Sequence, residues 1–318
     1  MIWLSTHLYF NGDINFFIRQ VIVPLVDSLM HRNDIYSYFF VRYWDDRGPH
    51  VRLRVCCHDC NSISVRNTIE RHFNAFLASY HDSLTLDHSI VENSNNFNGS
   101  LSFENYEPEY ERYGGDQGLE VAEEHFRHSS QLTFELLQLP TWNYRKAIAN
   151  ALLSQHILLC AFDPDYKKQI AFFANIARGY TFHLLREDRP VAEAEMIEFE
   201  KLFAARLAPQ FKNILQYLDK VITILNHKHS FEEEYYNTWL LNSIHTSDKL
   251  RNLHMSNSLS IKSNSEDVTQ ETFFGRCFHI ISSYIHMHNN RIGVLNQDES
   301  YLAYISYSCL KEIYGDKS

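Results

Sequence analysis

Two hydrophobic periods divide this chain. In the first third, apolar positions alternate with polar ones or run in short β-branched and aromatic stretches, the pattern of strands. Trp3 to Phe10 is one such stretch, closed by the turn signal Asn11-Gly12-Asp13. Ile18, Val21, Ile22, Leu25 and Leu29 then recur at helical spacing, which predicts a helix over Ile18 to Met30. Tyr36 to Tyr43 and Val51 to Val55 read as a hairpin joined across Trp44-Asp45-Asp46-Arg47-Gly48-Pro49. Ile63 to Ser79 reads as a helix. Leu84 to Glu92 and Ser100 to Tyr106 read as two more strands, with polar Asn93 to Gly99 between them.

Beyond Gly118 the period becomes helical almost throughout. Leu119, Ala122, Phe126 and Thr133 share a face, and the pattern continues over Ala147 to Phe162, Tyr166 to Leu184, Val191 to Leu225 and Phe231 to Ile244. Pro164, Pro190 and Pro209 mark boundaries or kinks. Met255 to Gln270 is rich in Ser and Asn and reads as a loop; Phe273 to Arg291 and Glu299 to Ile313 read as two closing helices. The expected fold class is therefore α+β, a sheet packed against a mostly helical C-terminal half. A single domain over residues 1–318 is expected, with 1–116 sheet-rich, 117–318 helical, and one shared core.

Composition narrows the function classes. The 318 residues carry 29 Lys plus Arg against 39 Asp plus Glu, a formal net charge of −10, without a basic tail or run. Broad contact with nucleic acid is disfavoured, because phosphate binding rests on clustered positive charge. Met1-Ile2-Trp3-Leu4 is apolar, but charge and polarity return within about a dozen residues, and no run approaches the ~20 apolar residues of a membrane span. A soluble, cytoplasmic protein is expected. Six cysteines include the group Cys56-Cys57-His58-Asp59-Cys60, but no second Cys-x-x-Cys pair follows, so reduced thiols at a strand end are favoured over a zinc site.

Three clusters carry candidate chemistry. In His50-Val51-Arg52-Leu53-Arg54, strand alternation puts Arg52 and Arg54 on one face about 7 Å apart, where they can grip a carboxylate or a developing oxyanion. The competing reading is a solvated face paired with local acids. Glu109-Tyr110-Glu111-Arg112-Tyr113-Gly114-Gly115 stands at the junction of the two halves, where the glycines supply unusual backbone angles; a plain turn with a Glu109–Arg112 contact is the alternative. His286-Met287-His288-Asn289-Asn290-Arg291 ends a predicted helix, with His286 and Asn290 on one face. Histidine can move protons near neutrality, although any one of 18 histidines is more often structural than catalytic. There is no phosphate loop, no nucleophile elbow and no His-Glu-x-x-His.

Together, and in order, these stretches resemble the C-terminal domain family of class I lanthipeptide dehydratases, the thiopeptide-type bacteriocin biosynthesis domain. The resemblance runs from Trp3-Leu4 and Tyr9-Phe10 through Phe39-Phe40-Val41-Arg42-Tyr43 and Pro49-His50-Val51-Arg52-Leu53-Arg54. It continues through Tyr106 to Gly115, Ala122-Glu123 with Phe126 and Ser130, and His286-Met287 with Asn290-Arg291. Ser129 departs from it, since the family often has Asp there. The resemblance implies removal of glutamate by β-elimination from glutamylated Ser or Thr of a precursor peptide, in lanthipeptide or thiopeptide biosynthesis, with neither cofactor nor metal. It implies catalytic roles for Arg52, Arg54, Glu109, Arg112 and His286, and substrate contacts for Arg42, His50, Asn290 and Arg291. A stand-alone chain of this kind would need a separate glutamyl-tRNA-dependent protein to glutamylate the peptide, and a cyclase where a lanthipeptide is made. The rivals are a pyridine synthase of the same superfamily, which generally does not keep the Arg/Glu/His set, and a non-catalytic peptide-binding subunit.

Overall fold

The computed structural model describes residues 1–80, 98–185, 193–261 and 272–315. By contact, the chain divides into two compact units: Met1–Glu109 with Phe126–Trp142, and Tyr110–His125 with Asn143–Ser318. The division is not a single cut, because the later part of one long helix belongs with the sheet. An α+β chain is what the two hydrophobic periods predict.

In the first unit, β1 (Ile2–Tyr9), β2 (Ser37–Asp45), β3 (Gly48–Cys57) and β4 (Leu101–Glu104) form an antiparallel sheet in the order β2-β3-β1-β4. One face carries Leu4, Leu8, Phe40, Val51, Leu53 and Val55, which pack with Phe17, Ile18, Val21, Val65, Ile69 and Phe73 of the covering helices. Those helices are α1 (Ile14–Phe17), α2 (Val23–His31) and α3 (Ser62–Tyr80), with α1 and α2 joined through a π-helical turn at Ile18–Ile22. Pro24 in the first turn of α2 has no N–H to give the preceding turn, which accounts for the change of helical register there. The predicted helix therefore exists, but begins earlier, where the Asp13 carboxylate caps the Asn15 N–H at 2.8 Å.

The β2–β3 hairpin closes with Asp45 opposite Gly48, a two-residue loop that Gly48 permits with φ +111°. The β2 edge is not left bare. The Phe40 N–H donates to Ser130 Oγ at 3.3 Å, and Tyr38 and Phe40 stack on Phe134. Ser130 and Phe134 lie in α5 (Gly115–Gln138), which follows α4 (Tyr110–Tyr113). This is why Phe126–Trp142 groups with the sheet.

The second unit is helical: α6 (Tyr144–Phe162), α7 (Tyr166–Leu185), α8 (Glu193–Leu207), α9 (Phe211–Asn226), α10 (Glu234–Met255), α11 (Phe273–Arg276), α12 (Phe278–Ile292) and α13 (Asn296–Tyr314). Helix α6 is buried on every side from Ala151 to Leu159, as its nearly continuous apolar run requires. The predicted Val191 to Leu225 helix is two helices, broken at Pro209. Helix α10 outruns its predicted end at Ile244, because Thr246, Ser247 and Leu250 continue its buried face. The predicted strand Leu84 to Glu92 and most of the Met255 to Gln270 loop lie outside the described residues.

Among the described residues, no helix is long and apolar enough to cross a membrane, and no cluster of His, Cys, Asp and Glu is arranged to hold a metal. Cys56 and Cys57 are buried and unbridged at the end of β3.

Phe40 is fully buried between the sheet core and Phe134. Phe40→Ala is expected to cost about 3–5 kcal/mol of stability, measured by urea unfolding.

Candidate functional site

Two polar constellations stand out, one in each unit. In the sheet unit, burial of Val51, Leu53 and Val55 turns His50, Arg52 and Arg54 to the opposite face, as alternation predicts. His50 is fully buried. Its Nδ1 lies 3.0 Å from the Gly48 carbonyl, and its Nε2 accepts from Arg52 Nε at 3.2 Å. A carbonyl only accepts, so Nδ1 carries the hydrogen and His50 is a neutral brace for Arg52. Burial lowers its pKa, against the opposing pull of the Gly48 carbonyl and Asp45. The Arg52 guanidinium sits 3.2 Å over the Tyr43 ring, and that of Arg54 lies 5.8 Å from the Tyr106 ring centre. Burial, reinforced by Arg52, draws Arg54 down to about 10, which leaves it cationic at neutral pH.

The same face also holds side chains of β1. In the β1–β3 register, Ser5 stands opposite Arg54, His7 opposite Arg52, and Tyr9 opposite His50. His7 stacks on His50 with centroids 5.0 Å apart. At the rim, Arg47 pairs with Asp45 at 3.3 Å and with Glu104 at 3.4 Å. The alternation Ser5, His7, Tyr9 was a usable signal, but it is masked by the aromatic and apolar residues around it.

Arg42 goes elsewhere. It stands opposite Val51 in the β2–β3 register and so projects to the core side of the sheet, away from Arg52 and Arg54. Burial lowers its pKa to about 10, with Asp13 as the opposing charge.

In the helical unit, Arg112 in α4 donates from Nε to Ser283 Oγ of α12 at 2.7 Å. One turn further along α12, His286 Nδ1 faces both Glu299 oxygens of α13, at 2.9 and 3.1 Å. The Glu299 side chain is only 2% exposed and that of His286 27%, so the histidine lies between a buried carboxylate and solvent. An ionised carboxylate only accepts, so Nδ1 bears the hydrogen and Nε2 is the nitrogen that can take a proton. Through Ser283, Arg112 of α4 is thus tied to α12 one turn from His286. Glu299 was legible only as an acid in a helix's first turn, because its partner lies on another helix.

Gly114 and Gly115, at φ +89° and +87°, turn the chain from α4 into α5, and the Gly114 carbonyl accepts from the Ser260 N–H at 2.8 Å. Glu109 precedes α4, at the end of the sheet unit's first segment. Asn290 lies one turn beyond His286 and is half-buried. Arg291 is fully buried, with Nη1 donating to the Met287 carbonyl at 3.0 Å. Its guanidinium therefore lies in the interior, meeting a carbonyl of its own helix one turn back, rather than at a surface.

Comparisons with known proteins agree on a family. The family model for the lantibiotic biosynthesis dehydratase C-terminal region matches residues 3–310. The epidermin biosynthesis protein EpiB of Staphylococcus epidermidis is 23% identical over 301 residues, covering 93% of this chain and 24% of that protein. The nisin biosynthesis protein NisB of Lactococcus lactis subsp. lactis is 24% identical over 272 residues, covering 84% and 21%. The chain thus spans about a quarter of the length of these curated relatives. Among solved structures, the pyridine synthase TbtD from thiomuracin biosynthesis has a TM-score of 0.74 at 14% identity, covering 99% of both chains. TsrL has a TM-score of 0.73 at 17% identity, covering 99% of this chain and 95% of its own. The tRNA-dependent lantibiotic dehydratase MibB from Microbispora sp. has a TM-score of 0.62 at 16% identity, covering 99% of this chain and 28% of its own. At these identities the solved structures establish likeness of fold.

Two outcomes follow from this geometry. A Cβ at Gly114 would lie 2.6 Å from Leu259 Cδ1 at a left-handed φ, so Gly114→Ala should cost about 1–2 kcal/mol, seen as a lower urea midpoint. His7 is held down to about 4, chiefly by burial and then by Arg52, against an ordinary 6.5. Between about pH 6.5 and 4 the unfolded chain binds a proton that folded His7 refuses, so stability falls as pH drops through that window. His7→Gln should make the fall shallower, read from urea midpoints at successive pH values.

Proposed function

We propose a glutamate-eliminating activity for this chain, which belongs to the lantibiotic biosynthesis dehydratase C-terminal family. The substrate is a precursor peptide whose Ser or Thr oxygen carries a glutamyl ester, and the product is dehydroalanine or dehydrobutyrine. The carrying observation is the buried Glu299 carboxylate on His286 Nδ1, one turn of α12 from the serine that holds Arg112. This arrangement orients an imidazole as a proton acceptor beside a guanidinium.

The chemistry assigns the roles. The Cα–H bond breaks and its electron pair becomes the Cα=Cβ bond. The Cβ–O bond breaks, and glutamate leaves with the ester oxygen as its α-carboxylate. His286 Nε2 takes the Cα proton, and Glu299 holds the ring and stabilises the imidazolium that forms. The enolate-like charge on the peptide carbonyl and the charge on the departing carboxylate need fixed donors, a role suited to guanidinium groups: Arg112 in the helical unit, Arg52 and Arg54 in the sheet unit. His50 braces Arg52, and Asn290 shapes the His286 end. Arg42 and Arg291 are left out of this set, the first by its face of the sheet and the second by its burial.

The glutamyl group comes from a glutamyl-tRNA-dependent activity, and a cyclase consumes the product where a lanthipeptide is made. The acidic charge of this chain, −10, suits a peptide partner rather than tRNA. A second reading, a pyridine-forming cyclisation, is favoured by the likeness to TbtD over 99% of both chains. That reaction expels no glutamate, so it gives the Arg and His set no such leaving group to hold.

The test incubates the purified chain with a glutamylated peptide and follows its mass. Loss of glutamic acid is expected, with His286→Ala and Arg112→Ala each slowing it about 10²–10⁴-fold. Undiminished loss in these variants overturns their roles. A macrocycle formed from a bis-dehydroalanine peptide, with no glutamate released from the ester, overturns elimination in favour of the second reading.

A further inference from the structure

We propose that Ser5 and His7 of β1 complete, with Arg54 of β3, a carboxylate-binding subsite that takes the free side-chain carboxylate of the glutamyl group. The identity of the anion rests on the elimination reading; the site itself rests on geometry. Ser5 stands directly opposite Arg54 and His7 opposite Arg52, so all four side chains leave the same face of the sheet. Ser5 is 2% exposed and His7 7%. Ser5 Oγ, His7 Nδ1 and Arg54 Nη1 are each buried without a hydrogen-bond partner. Buried polar atoms are ordinarily paired, and leaving one unmatched costs more than a surface contact returns. Three such atoms grouped on one face mark a place shaped for something else.

The chemistry of the group points to an anion. A hydroxyl, an imidazole N–H and a guanidinium N–H can all donate, and a carboxylate offers two oxygens with about four lone-pair sites. Among the described residues, no carboxylate of the chain pairs with Arg54; the charge beside it is that of Arg52, which repels it. Glu104 of β4, the residue directly opposite Ser5, is engaged by Ser102 at 2.9 Å and by Arg47 at 3.4 Å. His7 is neutral at working pH, so one ring nitrogen carries a hydrogen without adding a third buried cation.

The length of the ligand follows from how it is made. Transfer from a tRNA ester uses the α-carboxyl, so the transferred glutamyl group keeps its side-chain carboxylate free. That carboxylate keeps its charge throughout the reaction. Holding it strengthens binding of substrate and transition state alike, which appears in KM rather than kcat. It also selects glutamate over its amide, whose NH2 would confront donors.

The experiment compares a peptide bearing one glutamyl-serine ester with the matching glutaminyl ester. It also titrates glutarate and glutaramate calorimetrically against the whole chain. Wild type should favour the glutamyl ester by roughly tenfold or more in kcat/KM and bind glutarate over glutaramate. Ser5→Ala and His7→Phe, checked as folded by circular dichroism, should raise KM for the glutamyl peptide roughly tenfold with kcat within about twofold, and Ser5→Thr should restore it. Equal handling of both esters by wild type, or unchanged preference in the folded variants, overturns the subsite. If neither ester is eliminated, the activity reading fails alone: glutarate binding that weakens in Ser5→Ala and His7→Phe still upholds the subsite, and absence of such binding sinks it.

Discussion

The register of β3 governs the chemistry of the sheet unit. Val51, Leu53 and Val55 are fully buried, and each forces its neighbours to the other face. A slip of one residue would send Arg52 and Arg54 into the core and Leu53 into the polar face, an exchange too costly to be populated. The hydrophobic core therefore holds the guanidinium groups in place without touching them. The two-residue turn at Gly48 and the Ser130 hydroxyl on the β2 edge secure the same register from either side. His50, fully buried and bonded at both ring nitrogens, passes that rigidity on to Arg52.

In the helical unit, the equivalent constraint is the sharp turn between α12 and α13. Gly293 takes a left-handed conformation at φ +89°, and its N–H and that of Val294 satisfy the Asn289 carbonyl at the end of α12. The chain then reverses within a few residues, so the first turn of α13 lies beside α12 and Glu299 reaches His286. A carboxylate in a helix's first turn is favoured by the helix dipole, which suits that position of α13 to an acid that fixes the ring. Ser283, one turn earlier on α12, fastens Arg112 by the same economy of placement.

These arrangements share a physical character. Donors and charges are held in place by neighbouring side chains, and an oriented dipole or cation acts more strongly on an anion where it is buried than in open water. The chain as a whole is acidic, yet Arg54 faces a second arginine rather than an acid. Such concentration of positive charge inside a negative molecule is a property of site rather than composition.

Periodicity sufficed for what local rules control. Alternation placed Arg52 and Arg54 together, helical spacing located most helices, and Pro209 marked a real break. The order of short motifs was enough to identify the family. What depends on contact between distant segments was out of reach. Arg42 read as one more arginine of the strand signature until the β2–β3 pairing set it opposite Val51. Glu299 read as a helix start until α13 folded back on α12. Ser5 and His7 looked ordinary until pairing set them against Arg54 and Arg52. The long α5 begins at Gly115, and its later turns cover the sheet's edge and group with it by contact. Local sequence sets the direction of each side chain on its own element, since that follows from backbone geometry. Which side chains meet is decided by register and by the reversal of helices, which are settled only when the whole core is packed.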